Sequence, residues 1–306
     1  MIELAIMIEG QDGLNWQRWQ RLAQAAEDLG FAGLFRSDHF TNSTGPHKDS
    51  LEMWTSFTWL ASHTRRIEFG PLVAPVSFRH PVITAWTAAA IDDLSGGRFR
   101  LGLGAGWQER EHRSYGFDLL TVEQRFKRLE EALEVVTRLL RSDEPTGFDG
   151  EFYHLEDALL LPRPARPGGP PIVIGGNGER RTLPLAARYA DEWNGVLIPA
   201  ERYKKLNETL DWLLDEAGRP REAVRRTLMT RVVIGRDDAE VQRKLNGDPE
   251  ELKERGVIFG TPDAVAEALG RVEEAGATRV QAQWLDMDDI DGLELLAAKV
   301  MPQLVA

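Results

Sequence analysis

Short apolar runs rich in Val, Ile, Leu and Phe alternate along the chain with longer segments whose apolar residues recur at helical spacing. Such runs are typical of strands buried on both faces, and the longer period is typical of amphipathic helices. The runs predict strands at 2–8, 31–37, 67–74, 98–104, 171–175, 192–198, 226–234 and 278–284. The helical spacing predicts helices at 16–29, 50–63, 82–94, 123–141, 180–189, 200–217, 262–275 and 288–300.

Glycine and proline mark several of the predicted helix boundaries. Gly30, Gly218 and Gly276 each follow a helical pattern, where a helix commonly ends on a left-handed residue. Thr261 and Pro262 have the order of a helix N-cap followed by proline at the first helical position. These signals support the predicted order of strands and helices.

Eight strands that alternate with eight helices predict a parallel sheet, and a closed (β/α)₈ TIM barrel is more economical than an open eight-stranded sheet. We therefore predict that residues 1–306 form a single α/β barrel domain. The chain exceeds the roughly 250 residues typical of this fold, and the excess lies near 143–170 and 236–260. The first insertion, with FDGEFYHL followed by LLLPRPARPGGPP, predicts a small hairpin and a proline-rich return.

The composition excludes several classes of function but does not identify the function. The chain has 37 Lys and Arg against 49 Asp and Glu, a net charge of −12, which argues against general binding to nucleic acid or an anionic membrane. The absence of cysteine excludes disulfides, thiolate nucleophiles and cysteine-ligated metal sites. Because the N-terminal run MIELAIMIEG lacks a basic region, and no apolar run approaches a membrane span, we expect a cytoplasmic protein.

Active sites of such barrels form where the strands end, so the residues that follow each strand are the first candidates. The second strand ends at Asp38 and His39. A neutral imidazole there would donate or accept a proton near neutral pH, with Asp38 orienting it if the two side chains converge. The alternative is a structural histidine that hydrogen-bonds to the backbone.

The fifth strand leads into Gly175, Gly176, Asn177 and Gly178, directly before a predicted helix. Glycines allow close backbone approach, and a helix N-terminus attracts anions, so this turn is the best candidate for a phosphate site. Arg180 and Arg181 would add positive charge. The alternative is an ordinary turn that needs glycine for its backbone angles.

Other chemistries have less support. The six histidines form no HxH or HExxH ligand set, which disfavours a divalent-metal barrel hydrolase, and no GxSxG motif is present. The run GLGAG at 102–106 does not complete a dinucleotide-binding GxGxxG motif. Trp107 and Trp193 lie near strand ends, where an indole lines a pocket for a flat ligand or simply packs.

Several longer stretches together resemble the luciferase-like monooxygenase family of flavin and deazaflavin oxidoreductases, in particular its bacterial members that use coenzyme F420. The resemblance covers most of the chain in the right order and implies the same barrel fold. The matching stretches are AEDLGFAGLFRSDHF (26–40), RIEFGPLVAPVSFRHP (66–81), DDLSGGRFRLGLGAGWQEREHRSYG (92–116), FDGEFYHL (148–155) and PIVIGGNGERRTLPLAARYADEWN (171–194).

The resemblance implies roles for particular residues. Asp38 and His39 occupy the position that faces the reactive central ring in deazaflavin members. Leu72 and Val73 match a strand bulge with a non-prolyl cis peptide behind the ring, and Pro71 independently suggests a bulge because it cannot donate to the strand ladder. The remaining cofactor-site matches are Gly104, Ala105, Gly106 and Trp107 at the ring edge, and Gly175, Gly176, Gly178 and Arg181 at the phosphate-binding turn.

The function implied is hydride transfer between coenzyme F420 and an unidentified small organic substrate, with a homodimer as the expected assembly. Alternatives are an FMN-dependent monooxygenase or flavin reductase of the same family and, from another class, a non-catalytic flavin-binding or carrier protein. The glucose-6-phosphate dehydrogenase branch has Glu and Asn where this chain has Trp107 and Arg110, which argues against that sugar phosphate as substrate.

Overall fold

Parallel strands form the inner layer of the molecule in the computed structural model, which describes residues 1–304. The strands are β1 (Glu3–Ile8), β2 (Gly33–Arg36), β3 (Glu68–Pro71), β4 (Ala74–Pro75), β5 (Leu101–Gly104), β6 (Thr146–Asp149), β7 (His154–Ala158), β8 (Ile172–Gly175), β9 (Glu192–Val196), β10 (Arg225–Ile234), β11 (Ile258–Gly260) and β12 (Arg279–Gln283). All eight predicted strands are present.

Helices cover the outside of this sheet. They are α1 (Trp16–Asp28), α2 (Met53–His63), α3 (Pro81–Ser95), α4 (Glu109–Tyr115), α5 (Val122–Arg141), α6 (Thr182–Tyr189), α7 (Ala200–Glu216), α8 (Asp238–Lys244), α9 (Pro249–Glu254), α10 (Pro262–Glu274) and α11 (Ile290–Leu295). The last predicted helix, 288–300, differs from the prediction, since α11 is followed by a π-helical turn over 296–300. Within residues 1–304, none of these helices has the length and apolar character needed to cross a membrane.

The strands are hydrogen-bonded in the order β3-β2-β1-β12-β10-β9-β8-β5-β4. Because β3 and β4 are two parts of one predicted strand, the two ends of this series meet. Phe69 N donates to Arg98 O (3.1 Å) and Arg100 N donates to Phe69 O (2.9 Å), which joins β3 to the segment leading into β5. The predicted TIM-barrel fold is therefore confirmed.

The third predicted strand, 67–74, is interrupted between β3 and β4. Pro71 ends β3 and has no N–H for a further ladder bond. One residue further on, the peptide bond between Leu72 and Val73 is cis, as the family resemblance implied. The strand resumes at Ala74, which pairs with Leu103 of β5.

The two insertions contain regular structure. In the first, β6 and β7 form the predicted antiparallel hairpin. The second contains α8, α9 and β11, and β11 adds a parallel pairing to the end of β10. These three elements, together with α4, were not predicted. The helices α8 and α9 are short and polar, and each is capped by an aspartate, Asp237 and Asp248 respectively.

The barrel interior differs in chemistry from one end to the other. Toward the C-terminal ends of the strands it is apolar, with a cluster formed by Ala5, Met7, Phe35, Leu72, Val173 and Met229. At the opposite end Arg279 is buried against the carboxylates of Glu3 and Glu68, with Nη2–Oε2 distances of 2.6 Å to each. The apolar end is therefore the one that can accept an organic ligand.

Candidate active site

A cavity of about 650 Å³ opens at the C-terminal ends of the strands. This is the end of the barrel where active sites form. Nine of the twelve predicted site residues line it: His39, Leu72, Val73, Gly104, Ala105, Gly106, Trp107, Gly175 and Gly176. The cavity thus brings together side chains from β-strand ends that are far apart in the sequence.

The floor of the cavity is apolar and is shaped by Val73. A Cβ atom at Gly104 would lie 2.5 Å from Val73 Cγ2, and one at Gly175 would lie 3.2 Å from Val73 Cγ1. The two glycines therefore leave the space that the valine occupies. Met7 and Met229 complete the apolar surface, which is suited to the face of a flat ring system.

His39 stands at one side of the cavity and is held by Glu111. Its Nδ1 lies 2.7 Å from Glu111 Oε1, and the other carboxylate oxygen of Glu111 accepts from Phe40 N at 2.9 Å. Glu111 is fully buried on α4. The indole of Trp107 meets the imidazole edge-on, with ring centroids 5.6 Å apart. With Nδ1 engaged by Glu111, Nε2 is the ring nitrogen left to serve a ligand.

The surroundings of His39 favour its protonated form. Burial acts to lower the pKa of His39, but the hydrogen bond and charge of Glu111, with the charges of Glu9 and Asp38, outweigh burial. The pKa of His39 therefore lies above its ordinary value. An imidazolium at the edge of an apolar cavity is suited to donate a proton.

Asp38 does not take the position that the sequence suggested. It is buried beside the cavity rather than lining it, and its carboxylate accepts hydrogen bonds from Arg79, which also contacts Glu52. Burial raises the pKa of Asp38 even though Arg79 opposes this shift. Neighbouring residues at a strand end direct their side chains to different sides, so Asp38 does not meet the imidazole. The carboxylate that contacts the imidazole is Glu111.

The turn after β8 closes another side of the cavity. The side chain of Asn177 accepts from Val196 N (2.9 Å) and donates to Val196 O (2.7 Å), which fixes the turn to β9. Gly176 adopts a left-handed φ of +123°. Gly175 and Gly176 line the cavity as predicted.

Gly178 and Arg181 do not line the main cavity. With Glu179 and Arg180 they line an adjoining cavity of about 590 Å³, and Phe126 borders both cavities. The guanidinium of Arg181 lies over the Phe126 ring, 5.6 Å from its centroid. These residues therefore surround a route outward from the main cavity and not the main cavity itself.

Sequence reasoning missed the polar residues that line the cavity at the ends of β1, β9 and β12. Glu9, Gln11, Asn194 and Gln283 all line it, and so does Ser37 after β2. The signal was available for Glu9 and Gln283, since each lies at the C-terminal end of a predicted strand. Asn194 is fully buried, and its Oδ1 has no hydrogen-bond partner among residues 1–304.

The cavity fits a flat organic cofactor. It has an apolar floor, glycines where a ring edge requires close backbone approach, and an unpartnered amide oxygen for a ring donor. The adjoining cavity offers Arg180 and Arg181 to an anionic tail. In the same part of the chain, residues 1–304, no group of three or more His, Asp or Glu side chains is arranged to hold a metal ion.

Comparison with known proteins gives a consistent family assignment. The family model described as luciferase-like monooxygenase matches residues 5–251. The chain is 27% identical to 5,10-methylenetetrahydromethanopterin reductase of Archaeoglobus fulgidus, covering 97% of this chain and 98% of that protein. It is 28% identical to 4-hydroxyprotoasukamycin monooxygenase of Streptomyces nodosus subsp. asukaensis, covering 96% and 88%.

Solved structures share the fold at lower sequence identity. An F420-dependent secondary alcohol dehydrogenase superimposes with a TM-score of 0.84 at 20% identity, covering 99% of both chains. The coenzyme F420-dependent tetrahydromethanopterin reductase of Methanopyrus kandleri gives a TM-score of 0.80 at 21% identity and the same coverage. The oxygenating constituent of 3,6-diketocamphane monooxygenase of Pseudomonas putida, in complex with FMN, gives 0.78 at 18% identity, again over 99% of both.

Proposed function

Because the chain belongs to the luciferase-like monooxygenase family, we propose that it is an F420-dependent oxidoreductase that acts on a small organic substrate. The observation that carries this proposal is the cavity that joins His39, the apolar floor at Leu72 and Val73, and the glycine turn after β8. Relatives named as F420-dependent enzymes support it, among them a glucose-6-phosphate dehydrogenase of Kineococcus radiotolerans that is 26% identical over 92% of this chain.

Different residues of the cavity would bind different parts of the cofactor. The apolar floor at Leu72 and Val73 would support the ring, and the glycines of β5 and β8 would bound its edges. The turn at Gly176 and Gly178, with Arg181, would hold the anionic tail. When bound, the deazaflavin supplies hydride transfer at its central ring.

His39 supplies the proton that balances the charge of the substrate. Glu111 fixes the imidazole through Nδ1, so that Nε2 can hold a proton toward the cavity. The raised pKa of His39 keeps that proton available near neutral pH. The walls of the barrel exclude bulk water from the floor, where Leu72 and Met229 are buried.

An FMN-dependent monooxygenase or flavin reductase is the second candidate. The monooxygenase relative at 28% identity and the FMN complex of the same fold favour it. A phosphate-binding turn and an apolar ring site serve either cofactor. A non-catalytic flavin-binding protein is the third candidate, and turnover with a reduced cofactor would exclude it.

Equilibrium titration with F420 and FMN, together with thermal shift at equal concentrations, tests the choice of cofactor. We expect F420 to bind more tightly than FMN, because Arg180 and Arg181 extend the positively charged surface beyond the main cavity toward a longer polyanionic tail. An Arg181→Gln variant should lose affinity for F420, whereas Arg271→Gln, an exposed change on α10, should not. Stabilisation by FMN alone would overturn the proposal in favour of the second candidate.

We also propose a homodimer, which the family resemblance implies. Ile83 and Leu94 on α3 are 59% and 53% exposed, and such apolar side chains are typical of an interface when they share a helix. Light scattering coupled to size-exclusion chromatography is expected to give twice the 34.4 kDa mass of the chain. A mass of one chain at micromolar concentration would refute this assembly.

A further inference from the structure

One wall of the cavity is a connected set of polar side chains at the ends of β1, β2 and β12. Glu9 Oε1 accepts from Gln283 Nε2 at 2.6 Å, and Glu9 Oε2 accepts from Gln11 Nε2 at 3.0 Å. Gln11 Oε1 in turn accepts from Ser37 Oγ at 2.7 Å, and Ser37 Oγ accepts from Gly10 N at 3.0 Å. This polar wall is held in place by its own hydrogen bonds.

Glu9 retains capacity for a ligand. A carboxylate has about four acceptor positions, and the two named bonds occupy one on each oxygen. Glu9 is only partly buried and faces the cavity. It also lies close enough to His39 for its charge to favour the imidazolium form. A group bound to Glu9 therefore lies near the proton donor.

The cavity lining carries charged groups of both signs. Arg125 is the one Lys or Arg among the described residues that line it, and its Nη1 is engaged with Gly106 O at 2.9 Å. Arg180 and Arg181 add positive charge in the adjoining cavity. The polar wall carries the negative charge of Glu9, whereas the charge of Glu111 is paired with the His39 imidazolium. An anionic group is therefore favoured near the arginines and disfavoured beside Glu9.

Trp107 adds an apolar surface next to this wall. Its side chain is 61% exposed although it lines the cavity and contacts His39. An exposed indole beside a proton donor offers a flat surface to an apolar or aromatic body. The mouth of the cavity thus combines one apolar surface with one hydrogen-bond acceptor of negative charge.

We propose that this side of the cavity is the substrate subsite, and that Glu9 selects neutral or cationic molecules with a hydroxyl or amino group on an apolar body over carboxylates and phosphates. The proposal rests on the proposed function, in which the cofactor would occupy the glycine-lined part of the cavity.

Matched aromatic probes test the selection. Benzylamine, benzyl alcohol, benzoate and phenyl phosphate share one ring and differ in charge. Binding is followed by fluorine NMR of protein labelled with 5-fluorotryptophan, with the Trp107 signal assigned by Trp107→Phe, in cofactor-free and F420-saturated protein. We expect benzylamine to bind at least about tenfold more tightly than benzoate, the ratio that corresponds to 1.4 kcal/mol, with benzyl alcohol between them.

The Glu9→Gln variant keeps the size and one acceptor of the side chain but removes its charge. It should bring the affinities for benzylamine and benzoate within about threefold of each other. The control Glu156→Gln removes the same charge from the exposed hairpin strand β7 and should leave the ratio unchanged. Trp107→Leu removes the reporting indole, so its binding is followed by isothermal titration calorimetry beside the wild type. It should bind all four probes more weakly, because the indole surface serves each of them.

Several results would overturn the proposal. Benzoate bound as tightly as benzylamine by the wild-type protein would do so, as would an unchanged ratio in Glu9→Gln or the absence of any Trp107 response. Displacement of the probes by F420 would show that the two do not occupy different sides. Failure of F420 to bind while the probes still discriminate by charge would instead refute the proposed function and leave the Glu9 selection standing.

Discussion

At the scale of single residues, His39 is expected to act in turnover more than in cofactor binding. Its imidazole presents Nε2 to the cavity, whereas most binding surface comes from the floor and the glycine turn. A positioned proton donor or acceptor contributes typically 10²–10⁴ in rate. His39→Ala should therefore lower the single-turnover rate of hydride transfer by about that factor, with less than a tenfold change in the Kd of the cofactor.

Stopped-flow absorbance and equilibrium titration measure these two quantities for His39→Ala. The matched control is His154→Ala, since His154 is 68% exposed on the hairpin. A purely structural histidine would give a different result. The variant would then lose thermal stability and cofactor affinity together, or keep full activity, and either outcome would remove His39 from the mechanism.

Glu111 is expected to set the protonation of His39. Replacing it by Gln removes the charge and weakens the hydrogen bond that together raise the pKa of His39, while burial continues to lower it. An NMR titration of the His39 ring should therefore show a lower midpoint in Glu111→Gln than in the wild type. Glu109→Gln, an exposed change on the same helix, should leave the midpoint unaltered.

The pair of His39 and Glu111 makes the free energy of unfolding depend on pH in a defined direction. Because the folded protein raises the pKa of His39, the resulting stabilisation is complete below the ordinary value of about 6.5 and is lost as the pH rises through the folded value. Activity that requires the imidazolium should fall over the same rise. An unchanged His39 midpoint in Glu111→Gln would contradict this account.

At the scale of elements, the strands were predictable and several short helices were not. A strand buried on both faces appears in the sequence as an apolar run, as in β1 or β8. The helix α4, EREHRSY, has seven residues and few apolar positions, so its period is too short to detect. Yet α4 carries Glu111 to His39 across 72 residues of sequence, a contact that no local pattern encodes.

The family resemblance predicted backbone features that the periodicity of apolar residues did not. It located the cis peptide at Leu72–Val73 and the cofactor-site glycines, most of which line the cavity. The adjacency of Asp38 and His39 in the sequence suggested Asp38 as the partner of the imidazole, but the structure pairs Asp38 with Arg79. Neighbouring residues at a strand end are adjacent in sequence without converging in space. Their partners are decided by the packing of α4, which carries Glu111, and of the loop before α3, which carries Arg79.

The fit between β4, β5 and β8 is expected to be sensitive to one methyl group. Gly104→Ala would place a Cβ 2.5 Å from Val73 Cγ2, so Val73 must move into the floor of the cavity. Overpacking of this kind typically costs 1–3 kcal/mol, about the range expected here. Chemical denaturation and cofactor titration should show lower stability and weaker binding together.

The control for this element is Gly270→Ala in α10. A Cβ at Gly270 meets no atom within 4 Å, and alanine is favoured over glycine inside a helix by about 1 kcal/mol. This variant should be slightly stabilised with unchanged cofactor affinity. If Gly104→Ala behaved like Gly270→Ala in both measurements, Val73 would have freedom to relax and the floor would not be rigid.

At the scale of the whole molecule, the two ends of the barrel differ: one end holds the candidate active site and the other holds a network of ion pairs. The cavity and His39 lie at the C-terminal ends of the strands, and a network of charges closes the opposite end. There Arg279 is 2% exposed and pairs with Glu3 and Glu68, while Arg100 also contacts Glu68. Because this network links β1, β3 and β12, it ties the beginning of the chain to its last strand.

Glu68 makes this end of the barrel sensitive to acid. Burial acts to raise its pKa, but the charges of Arg279 and Arg100 and their hydrogen bonds outweigh burial and lower the pKa of Glu68 to about 2. For a carboxyl group whose pKa is depressed by folding, the stabilisation is present above the unfolded value and is lost as the pH falls through the folded value. The loss should therefore fall between the ordinary value of 4.5 and about 2.

The free energy of unfolding, measured by urea titration at intervals across that range, tests this assignment. The wild-type protein should lose on the order of 3 kcal/mol from Glu68 on acidification, since each pKa unit corresponds to about 1.4 kcal/mol. Glu68→Gln should be less stable at pH 7 and lose less stability between the two values, because Arg279 keeps only Glu3 as a partner. Glu294→Gln, an exposed change on α11, should follow the wild type. Parallel acid profiles for Glu68→Gln and the wild type would mean that the charges at this end of the barrel do not link folding to pH.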